Sequence, residues 1–396
     1  MTIHAITDEA VAGKTLIVRS DLNVPMKDGK VTDATRIERF ADGMKDLLAK
    51  GARLVILSHF GRPKGQVVPD LSLASVVNDL SKALGTPVMF VDTCRGEDAQ
   101  KAAADLKDGQ VLLCENLRFD AGEEKNDAEL AKDLAKLGDY YVNDAFSCAH
   151  RAHASTAAIA DHMPSFSGPL MSEEISALQA ALEAPKRPSV AIVGGAKVSS
   201  KIAVLKNLVG KLDAVIIGGG MANTFLFANG VEMGSSLHEA DQVDTVKEIE
   251  ALAAASGCEI LLPQDAAFAK EFKAGAAMRI GASTDCQSDE MILDAGPEAA
   301  KAFSTTLTDA KTILWNGPLG AFEIPPFDTA TVALAKAAAA ETKNGDTVSV
   351  AGGGDTVAAL NHAGVADDFT YVSSAGGAFL EWLEGKTLPG IAALDR

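Results

Sequence analysis

The stretch SVAIVGGAKVSSKIAVLKNLVGKL, residues 189–212, contains the unit from which the fold is predicted to be built. Its apolar, β-branched run Val190–Val193 predicts a buried strand, and Gly194-Gly-Ala-Lys197 follows as a turn. Ser200–Leu212 then repeats apolar residues at i, i+3, i+6, i+7 and i+10, which places them on one helical face. A strand, a glycine turn and a helix in succession predict one βα unit.

The same alternation extends through the chain in both directions. Predicted strands are Leu16–Val18, Leu54–Leu57, Val88–Val91, Val111–Cys114, Tyr140–Val142, Ala214–Ile217, Glu259–Leu262, Thr312–Trp315, Thr347–Val350 and Thr370–Val372. Amphipathic segments lie between them; Asp127–Leu137, for example, has a leucine stripe and stops at Gly138. Strands that alternate with helices predict parallel sheets buried on both faces.

Ser172–Lys186 is predicted to be a helix that connects two lobes. Ser172 is a favourable N-cap, an apolar stripe follows, and Pro185 and Pro188 stop the helix. The predicted fold class is therefore α/β, with two Rossmann-like lobes, each a parallel sheet flanked by helices, joined by a hinge helix. The predicted boundaries are 1–171 for the N-terminal lobe, 172–186 for the hinge helix and 187–379 for the C-terminal lobe.

Composition excludes several functional classes. The 396 residues are 47% apolar, enough for two cores, and the net charge of −18 repels nucleic acid and anionic membranes. The N-terminus lacks the apolar region of a secretory signal. The uncharged run 214–231 contains three consecutive glycines, so a strand, a turn and a helix start fit it better than a membrane span. Five cysteines without a CxxC pair favour a reduced, cytoplasmic protein.

Arginine is unevenly distributed in this acidic chain. Eight of the eleven arginines lie within the first 151 residues. The planar guanidinium matches carboxylate and phosphate, so this concentration is typical of an anion site. Scattered surface ion pairs are the alternative, and composition alone leaves both open.

Ligands of open parallel sheets bind outside the carboxyl ends of the strands, so the residues after each strand carry the functional prediction. In the first half these segments are Arg19–Pro25, Ser58–Pro63, Glu115–Phe119, Asn143–Phe146 and His150-Arg151. In the second half they are Gly194–Lys197, Gly218–Met221, Leu262–Asp265, Asn316–Pro318, Gly352–Thr356 and Ser373–Gly377. The first set offers Arg, His, Asp and Asn; the second offers Gly, Lys and Asp. This division predicts an anionic substrate on the N-terminal lobe and a nucleotide on the C-terminal lobe.

Glycine turns let backbone N–H groups approach phosphate oxygens, and a following helix adds a positive dipole. Gly352–Thr356 precedes such a helix start, where Asp355 could bind Mg²⁺ through oxygen. Lys197 and Lys201 lie four residues apart at another helix start. Ordinary tight turns and solvated lysines remain the alternatives for these two features. His150 and His153 have no third metal ligand near them in the sequence.

Seven of these strings, taken together and in order, resemble the motifs of phosphoglycerate kinases. They are Arg19-Ser-Asp-Leu-Asn-Val-Pro25, Ser58-His-Phe-Gly-Arg-Pro63, Glu115-Asn-Leu-Arg-Phe119, Gly194-Gly-Ala-Lys-Val-Ser199, Asn316-Gly-Pro318 with Phe322-Glu323, Gly352-Gly-Gly-Asp-Thr356 and Leu383–Gly390. The resemblance implies reversible phosphoryl transfer between 1,3-bisphosphoglycerate and ADP, which yields 3-phosphoglycerate and ATP, with Mg²⁺ as cofactor. It also implies direct in-line transfer with domain closure, a monomer, and a segment 380–396 that returns to the N-terminal lobe.

The resemblance implies roles for individual residues. Arg36 and Lys197 are the expected catalytic residues, because phosphoryl transfer depends on position and charge stabilisation. The residues expected to bind the substrate are Asp21, Asn23, Arg36, His59, Arg62, Arg118 and Arg151. The residues expected to bind the nucleotide are Gly194, Lys197, Lys201, Gly218, Asn316, Glu323, Gly353, Gly354, Asp355 and Thr356, with Asp355 as the metal ligand.

The sequence departs from the family pattern at three positions. Ser147 and Cys148 stand where Gly-Thr or Gly-Ala is usual, so Ser147 is expected to adopt whatever backbone angles that glycine has. Cys148 is expected to be a buried structural thiol, with redox sensitivity as the alternative. Ala375 stands where a third glycine is frequent, and its Cβ is expected either to crowd the moving phosphoryl slightly or to restrict the loop.

Two other classes of function make different predictions. A nicotinamide-dependent dehydrogenase would carry GxGxxG after its first strand, where this chain has Ser20-Asp-Leu-Asn. A non-catalytic anion-binding protein of the same fold would lack Lys197, Arg36 or Asp355, and all three are present.

Overall fold

A computed structural model describes residues 3–395. The chain forms two compact units. The first runs as far as Ile175 and also takes in the segment that begins at Thr387; the second is Ser176–Lys386. The sequence prediction placed these boundaries at 171/172 and 379/380.

The first unit is built on a six-stranded parallel sheet. Its strands are β1 (Thr15–Arg19), β4 (Arg53–Leu57), β5 (Val88–Val91), β6 (Val111–Cys114), β7 (Tyr140–Asn143) and β8 (Ser165–Ser167), in the order β5-β6-β4-β1-β7-β8. A short hairpin, β2 (Met26–Lys27) and β3 (Lys30–Val31), follows β1. The helices are α1 (Thr35–Ala49), α2 (Val77–Leu84), α3 (Gly96–Ala104), α4 (Ala128–Ala135) and α13 (Pro389–Ala392). All five residues of β1 are buried, as expected of a central strand covered on both faces.

The second unit has its own six-stranded parallel sheet. Its strands are β9 (Ser189–Val193), β10 (Ala214–Ile217), β11 (Glu259–Leu261), β15 (Thr312–Asn316), β16 (Val348–Gly352) and β17 (Tyr371–Ser373), in the order β11-β10-β9-β15-β16-β17. The helices are α6 (Ile202–Val209), α7 (Gly219–Ala228), α8 (Val243–Ser256), α9 (Pro297–Thr308), α10 (Thr329–Lys343), α11 (Gly354–Ala363) and α12 (Gly376–Leu383). Two parallel sheets flanked by helices confirm the predicted fold class.

A three-stranded antiparallel sheet in the second unit was not predicted. It comprises β12 (Asp265–Ala269), β13 (Met278–Ala282) and β14 (Met291–Ala295), with β12 in the middle. β12 is rich in alanine, which is a poor strand former, so its sequence does not predict a strand. This sheet lines part of the cavity described below.

The helix around the boundary of the two units starts earlier than predicted. It runs over Pro169–Leu178 (α5) and continues as a π-helical turn, Gln179–Glu183. Ser172 lies inside the helix, so its assignment as the N-cap was wrong. The side chain of Asp144 caps the N-terminus of α5 from outside the helix, because its Oδ1 accepts hydrogen bonds from the N–H groups of Leu170 (2.8 Å) and Met171 (3.2 Å).

Over the described range, 3–395, no helix combines the length and the apolar character that a membrane span requires. The uncharged run 214–231 forms β10 and α7, as predicted.

Candidate functional site

The first unit gathers polar side chains beyond the carboxyl edge of its sheet. Asp21 and Asn23 follow β1, His59 and Arg62 follow β4, and Arg118 follows β6. Arg36 comes from the first turn of α1, and Arg151 from the segment after β7. Because the strands are parallel, these ends lie at one edge.

Asp21 is held by two donors. Nη1 of Arg36 lies 3.0 Å from Oδ2 of Asp21, and the hydroxyl of Ser147 donates to the same oxygen at 2.5 Å. Nη1 of Arg36 also donates to the carbonyl of Asn23 at 3.0 Å. The Arg36 side chain is 39% exposed, so part of its guanidinium remains available to a ligand.

The loop after β4 is held from both sides. Oδ1 of Asn23 accepts from the N–H of Gly61 (2.9 Å), and Nη1 of Arg118 donates to the carbonyl of Gly61 (2.7 Å). The side chain of Asn116 binds the neighbouring Phe60: its Oδ1 accepts from the N–H of Phe60 (3.1 Å), and its Nδ2 donates to the carbonyl of Phe60 (2.7 Å). These bonds fix the backbone that presents His59 and Arg62.

Arg118 and Arg151 bring positive charge to the same region. Arg118 is buried, and its Nε lies 3.2 Å from Oε1 of Glu124. Arg151 is half-buried and donates from Nε to Nε2 of His150 at 3.1 Å. Both guanidinium groups act electrostatically on His59. Arg62 is exposed on the loop after β4.

His59 is buried beside a further arginine that the sequence prediction did not include among the site residues. Burial lowers the pKa of His59 well below its ordinary value, and the guanidinium groups of Arg19, Arg118 and Arg151 lower it further. Nη2 of Arg19 lies 3.2 Å from Nδ1 of His59. Arg19 is the last residue of β1 and is 1% exposed, which is rare for arginine and is the signal that identifies it.

Asp21, His59 and Cys148 could be taken for a metal site, because their ligand atoms lie within 4.8 Å of one another. The oxygen of Asp21 is already bound by Arg36 and Ser147, and Nδ1 of His59 faces a guanidinium. Arginine charge repels a cation and attracts an anion. The surroundings therefore favour an anionic ligand.

One expected effect of the unusual residues is corrected by the structure. Ser147 lies in a 3₁₀ turn, Phe146–Cys148, and is not among the non-glycine residues with positive φ. Its backbone therefore does not need the freedom of glycine. Ala375 has φ −98°, an ordinary backbone angle for an L-residue, and the expected effect of its Cβ on the loop or the moving phosphoryl stays a prediction. Cys148 is buried and burial raises its thiol pKa, as expected of a structural thiol.

In the second unit, Lys201 is largely enclosed. Its Nζ donates to the carbonyls of Gly194 (2.7 Å) and Asn316 (2.8 Å). Gly194 follows β9, and Asn316 is the last residue of the adjacent strand β15. Burial lowers the pKa of Lys201 to about 8, although the charge of Asp355 opposes this shift. Lys197, in contrast, is exposed at the turn after β9.

The glycine segment after β16 has the geometry of an anion-binding turn. Gly353 has φ +96°, a conformation that favours glycine, and α11 begins at Gly354. Thr356 in the first turn of α11 is buried, and its Oγ1 accepts from the N–H of Gly317 at 2.7 Å. Nδ2 of Asn316 donates to the carbonyl of Gly352 at 2.8 Å. The free N–H groups at the start of α11 are suited to phosphate.

A cavity of about 590 Å³ opens beside these turns. Its walls are mostly apolar and include Leu237, Phe272 and Leu319, while Glu323 and Asp355 supply carboxylates at its border. Gly218 lies outside this lining but packs tightly nearby, since a Cβ there would lie 2.7 Å from Cα of Leu319. An apolar cavity with a few polar groups and a phosphate-binding turn has the character of a nucleotide site.

The donor set also fits a magnesium ion. Asp355 is exposed in the first turn of α11, where its carboxylate can reach a ligand. Mg²⁺ takes oxygen ligands and typically uses one or two carboxylates together with substrate phosphates.

Comparison with known proteins identifies the family. The family model described as "Phosphoglycerate kinase" matches residues 6–386. The chain is 58% identical to the phosphoglycerate kinase of Ruegeria sp. (strain TM1040) over 390 residues, which are 98% of each protein. It is 59% identical to that of Cereibacter sphaeroides (strain ATCC 17025 / ATH 2.4.3), again over 98% of each.

Solved structures give the same result. The structure of phosphoglycerate kinase from Coxiella burnetii superposes with a TM-score of 0.94 at 43% identity, covering 100% of this chain and 99% of that one. The phosphoglycerate kinase from Pyrococcus horikoshii OT3 gives a TM-score of 0.79 at 31% identity, covering 99% and 98%.

Proposed function

The chain belongs to the phosphoglycerate kinase family. We propose which of its residues bind each substrate and which stabilise the phosphoryl group during transfer. The enzyme is a phosphotransferase with a carboxyl group as acceptor. It transfers a phosphoryl group reversibly between 1,3-bisphosphoglycerate and ADP, giving 3-phosphoglycerate and ATP.

We propose that the N-terminal lobe predicted from the sequence, residues 1–171 of the first unit, binds the phosphoglycerate. The observation that carries this proposal is the arginine cluster around His59, because it sets three guanidinium groups near one buried imidazole. Asp21 and Asn23 would contact the glycerate, and the substrate phosphate would lie among the basic residues His59, Arg62, Arg118, Arg151 and Arg36. Segment 380–396 would complete this unit; in the structure the part from Thr387 belongs to it.

We propose that the C-terminal lobe predicted from the sequence, residues 187–379 of the second unit, binds the nucleotide. Lys201, Gly194, Gly218 and Asn316 would hold the phosphates from one side, with the turn Gly353–Thr356 on the other. Glu323 would bind the ribose at the cavity border. Asp355 would hold Mg²⁺, which supplies charge neutralisation to the phosphates when it is bound with the nucleotide.

The proposed mechanism needs no general base. The acceptor is a carboxylate with a pKa of about 4, so it is ionised at neutral pH. In-line transfer then depends on bringing donor and acceptor together and stabilising the charge on the phosphoryl group in transit. We assign this stabilisation to Arg36 and Lys197, and we propose that the two units close over the substrates with residues 172–186 as the hinge.

We also propose that the protein acts as a monomer in the cytoplasm without nucleic-acid or membrane partners. The net charge of −18 supports this, because such a surface repels other polyanions. The five cysteines are free, in keeping with a reducing compartment.

Calorimetric titration tests the division between the units. Arg36→Ala should weaken 3-phosphoglycerate binding by about 10-fold or more and leave ADP binding unchanged, because a hydrogen bond to a charged group is lost. Lys201→Ala should weaken ADP binding and leave 3-phosphoglycerate binding unchanged. Arg53→Ala and Lys206→Ala are matched controls, since each removes an exposed ion-pair cation from the same unit. Equal losses for both ligands in either site variant would contradict the assignment.

A further inference from the structure

Arg19 stands in a buried chain of hydrogen bonds that ends at Glu123. Nε of Arg19 lies 2.9 Å from Oγ of Ser155. That hydroxyl lies 2.6 Å from Oε1 of Glu123, and the N–H of Ser155 donates to Oε2 at 3.0 Å. Arg19, Ser155 and Glu123 are each at most 1% exposed.

The direction of every hydrogen bond in this chain follows from the chemistry of its groups. A guanidinium carries only donors, so Oγ of Ser155 must accept from Arg19. The single hydroxyl proton of Ser155 is then directed to Glu123. At the other end of the chain, Nη2 of Arg19 is likewise a donor, so Nδ1 of His59 must be the acceptor at 3.2 Å.

A neutral imidazole carries one proton, and an accepting Nδ1 places that proton on Nε2. The remaining close neighbour of Nδ1 is the thiol of Cys148, at 3.9 Å, which can also donate. A second proton on Nδ1 would point at the guanidinium. The largest electrostatic effects on His59 come from Arg19, Arg118, Arg151 and His153, which are cationic or weakly basic; the Asp21 carboxylate also lies within 4.8 Å of a ligand atom of His59. The four basic groups disfavour the imidazolium.

We propose that Arg19, oriented by Ser155 and Glu123, is a positioning residue that holds His59 as the neutral Nε2–H tautomer. The imidazole then presents a hydrogen-bond donor to an anionic ligand in a defined direction. The opposite tautomer would present a lone pair to the anion and be repelled by it. The consequence for catalysis rests on the proposed role of His59 as a substrate contact.

The tautomer is measured directly by ¹⁵N NMR of the full-length, ligand-free protein labelled at histidine. The wild type should show an unprotonated Nδ1 and a protonated Nε2 for His59 from pH 6 to pH 8. A protonated Nδ1, or an imidazolium at pH 7, would overturn the tautomer assignment whatever the enzyme's activity.

Two variants test whether the hydrogen bonds from Ser155 and Glu123 orient Arg19. Ser155→Ala removes the link between Arg19 and Glu123, so the His59 signal should become a tautomer mixture and KM for 3-phosphoglycerate should rise about 10-fold, with a smaller change in kcat. Tyr141→Phe is the matched control: it removes a buried 2.7 Å hydrogen bond to the carbonyl of the same Ser155 but leaves Oγ in place. It should keep both the tautomer and KM. A change of the same size in Tyr141→Phe, or none in Ser155→Ala, would overturn the positioning role.

Addition of 3-phosphoglycerate to the labelled wild type separates this inference from the proposed function. A shift of the His59 Nε2 resonance on binding supports both. Binding that leaves Nε2 unshifted would overturn the role of His59 as a substrate contact, while the tautomer assignment in the free enzyme would stand on its own measurement.

Discussion

Ser147 donates its hydroxyl to Oδ2 of Asp21 at 2.5 Å, on the same oxygen that Arg36 contacts at 3.0 Å. This serine was expected to adopt whatever backbone angles the glycine usual in the family has. The structure instead gives it an ordinary 3₁₀ conformation and a role in holding a residue of the substrate site. The unusual side chain therefore adds an interaction at this position.

Ser147→Ala and Ser147→Gly should have similar effects. Each removes the hydrogen bond to Asp21, and neither gains from backbone freedom because the turn does not need positive φ. KM for 3-phosphoglycerate should rise by about 3- to 10-fold in both, the range expected for one hydrogen bond to a charged group that is partly solvated. Steady-state kinetics measure this directly. A glycine variant that is faster than the wild type would show that the serine does strain the turn.

Nucleotide affinity should depend on pH through Lys201. Its pKa is lowered to about 8, so the ammonium loses its proton as the pH rises through that value. Its attraction for phosphate is then lost, and ADP should bind more weakly at pH 9 than at pH 7. Arginine stays protonated over this range, so Lys201→Arg should remove the dependence even if its affinity is lower overall. Titrations at both pH values test this; an equal loss in the arginine variant would exclude Lys201 as the titrating group.

Gly317→Ala should damage the nucleotide site. Gly317 has φ +111°, and a Cβ there would lie 2.1 Å from the carbonyl oxygen of Gly194 and 2.9 Å from Nζ of Lys201. The backbone would have to move, at a cost of about 1–3 kcal/mol for the strained conformation alone. ADP affinity and Tm should both fall. Gly210→Ala is the control, since that residue has φ −80° and only ordinary contacts; a comparable loss there would show that the effect is not local to the site.

Stability of the first unit should fall as the pH rises through the range set by Asp144. Burial raises its pKa to about 7, from about 4 in the unfolded chain, and Oδ2 has no hydrogen-bond partner among residues 3–395. Between these values the folded state holds a proton that the unfolded state has lost, so unfolding is favoured with increasing pH. Asp144→Asn keeps an acceptor for α5 and should flatten the decrease in Tm between pH 5 and pH 8. Burial also raises the pKa of Asp294 to about 8, so Asp294 likewise lowers Tm as the pH rises, and this contribution remains in Asp144→Asn. An unchanged slope in the variant would contradict this.

Much of the fold could be predicted because both parallel sheets are buried on two faces, which leaves short apolar runs such as Val190–Val193 between amphipathic helices. The antiparallel sheet β12–β14 could not be predicted in the same way. β13 alternates exposed and half-buried residues, and β12 relies on alanine. The start of α5 was missed because its cap, Asp144, lies 25 residues before Pro169 in the sequence and is supplied by the end of β7.

The candidate site was predictable where its chemistry is local. The motif strings mark Asp21, Asn23, His59 and Arg118, and hydrogen bonds through Arg36 and Gly61 link Asp21, Asn23 and Arg118. Glu123 and the partners of Arg19 were not predictable, since these contacts join positions that are 32 and 136 residues apart. Only the folded chain shows that a buried glutamate is connected to the imidazole.

The central claim, that Arg36 and Lys197 stabilise the phosphoryl group in transit, is tested most directly by 3-phosphoglycerate-dependent ADP production from ATP and Mg²⁺. Wild type, Arg36→Ala, Lys197→Ala and the control Arg53→Ala should be compared at saturating substrates. We predict robust turnover in wild type and control, with kcat lower by about 10²–10³ in each site variant, as is typical when one donor to transition-state charge is removed. Undiminished kcat in both variants, or no turnover in a folded wild type, would contradict the account.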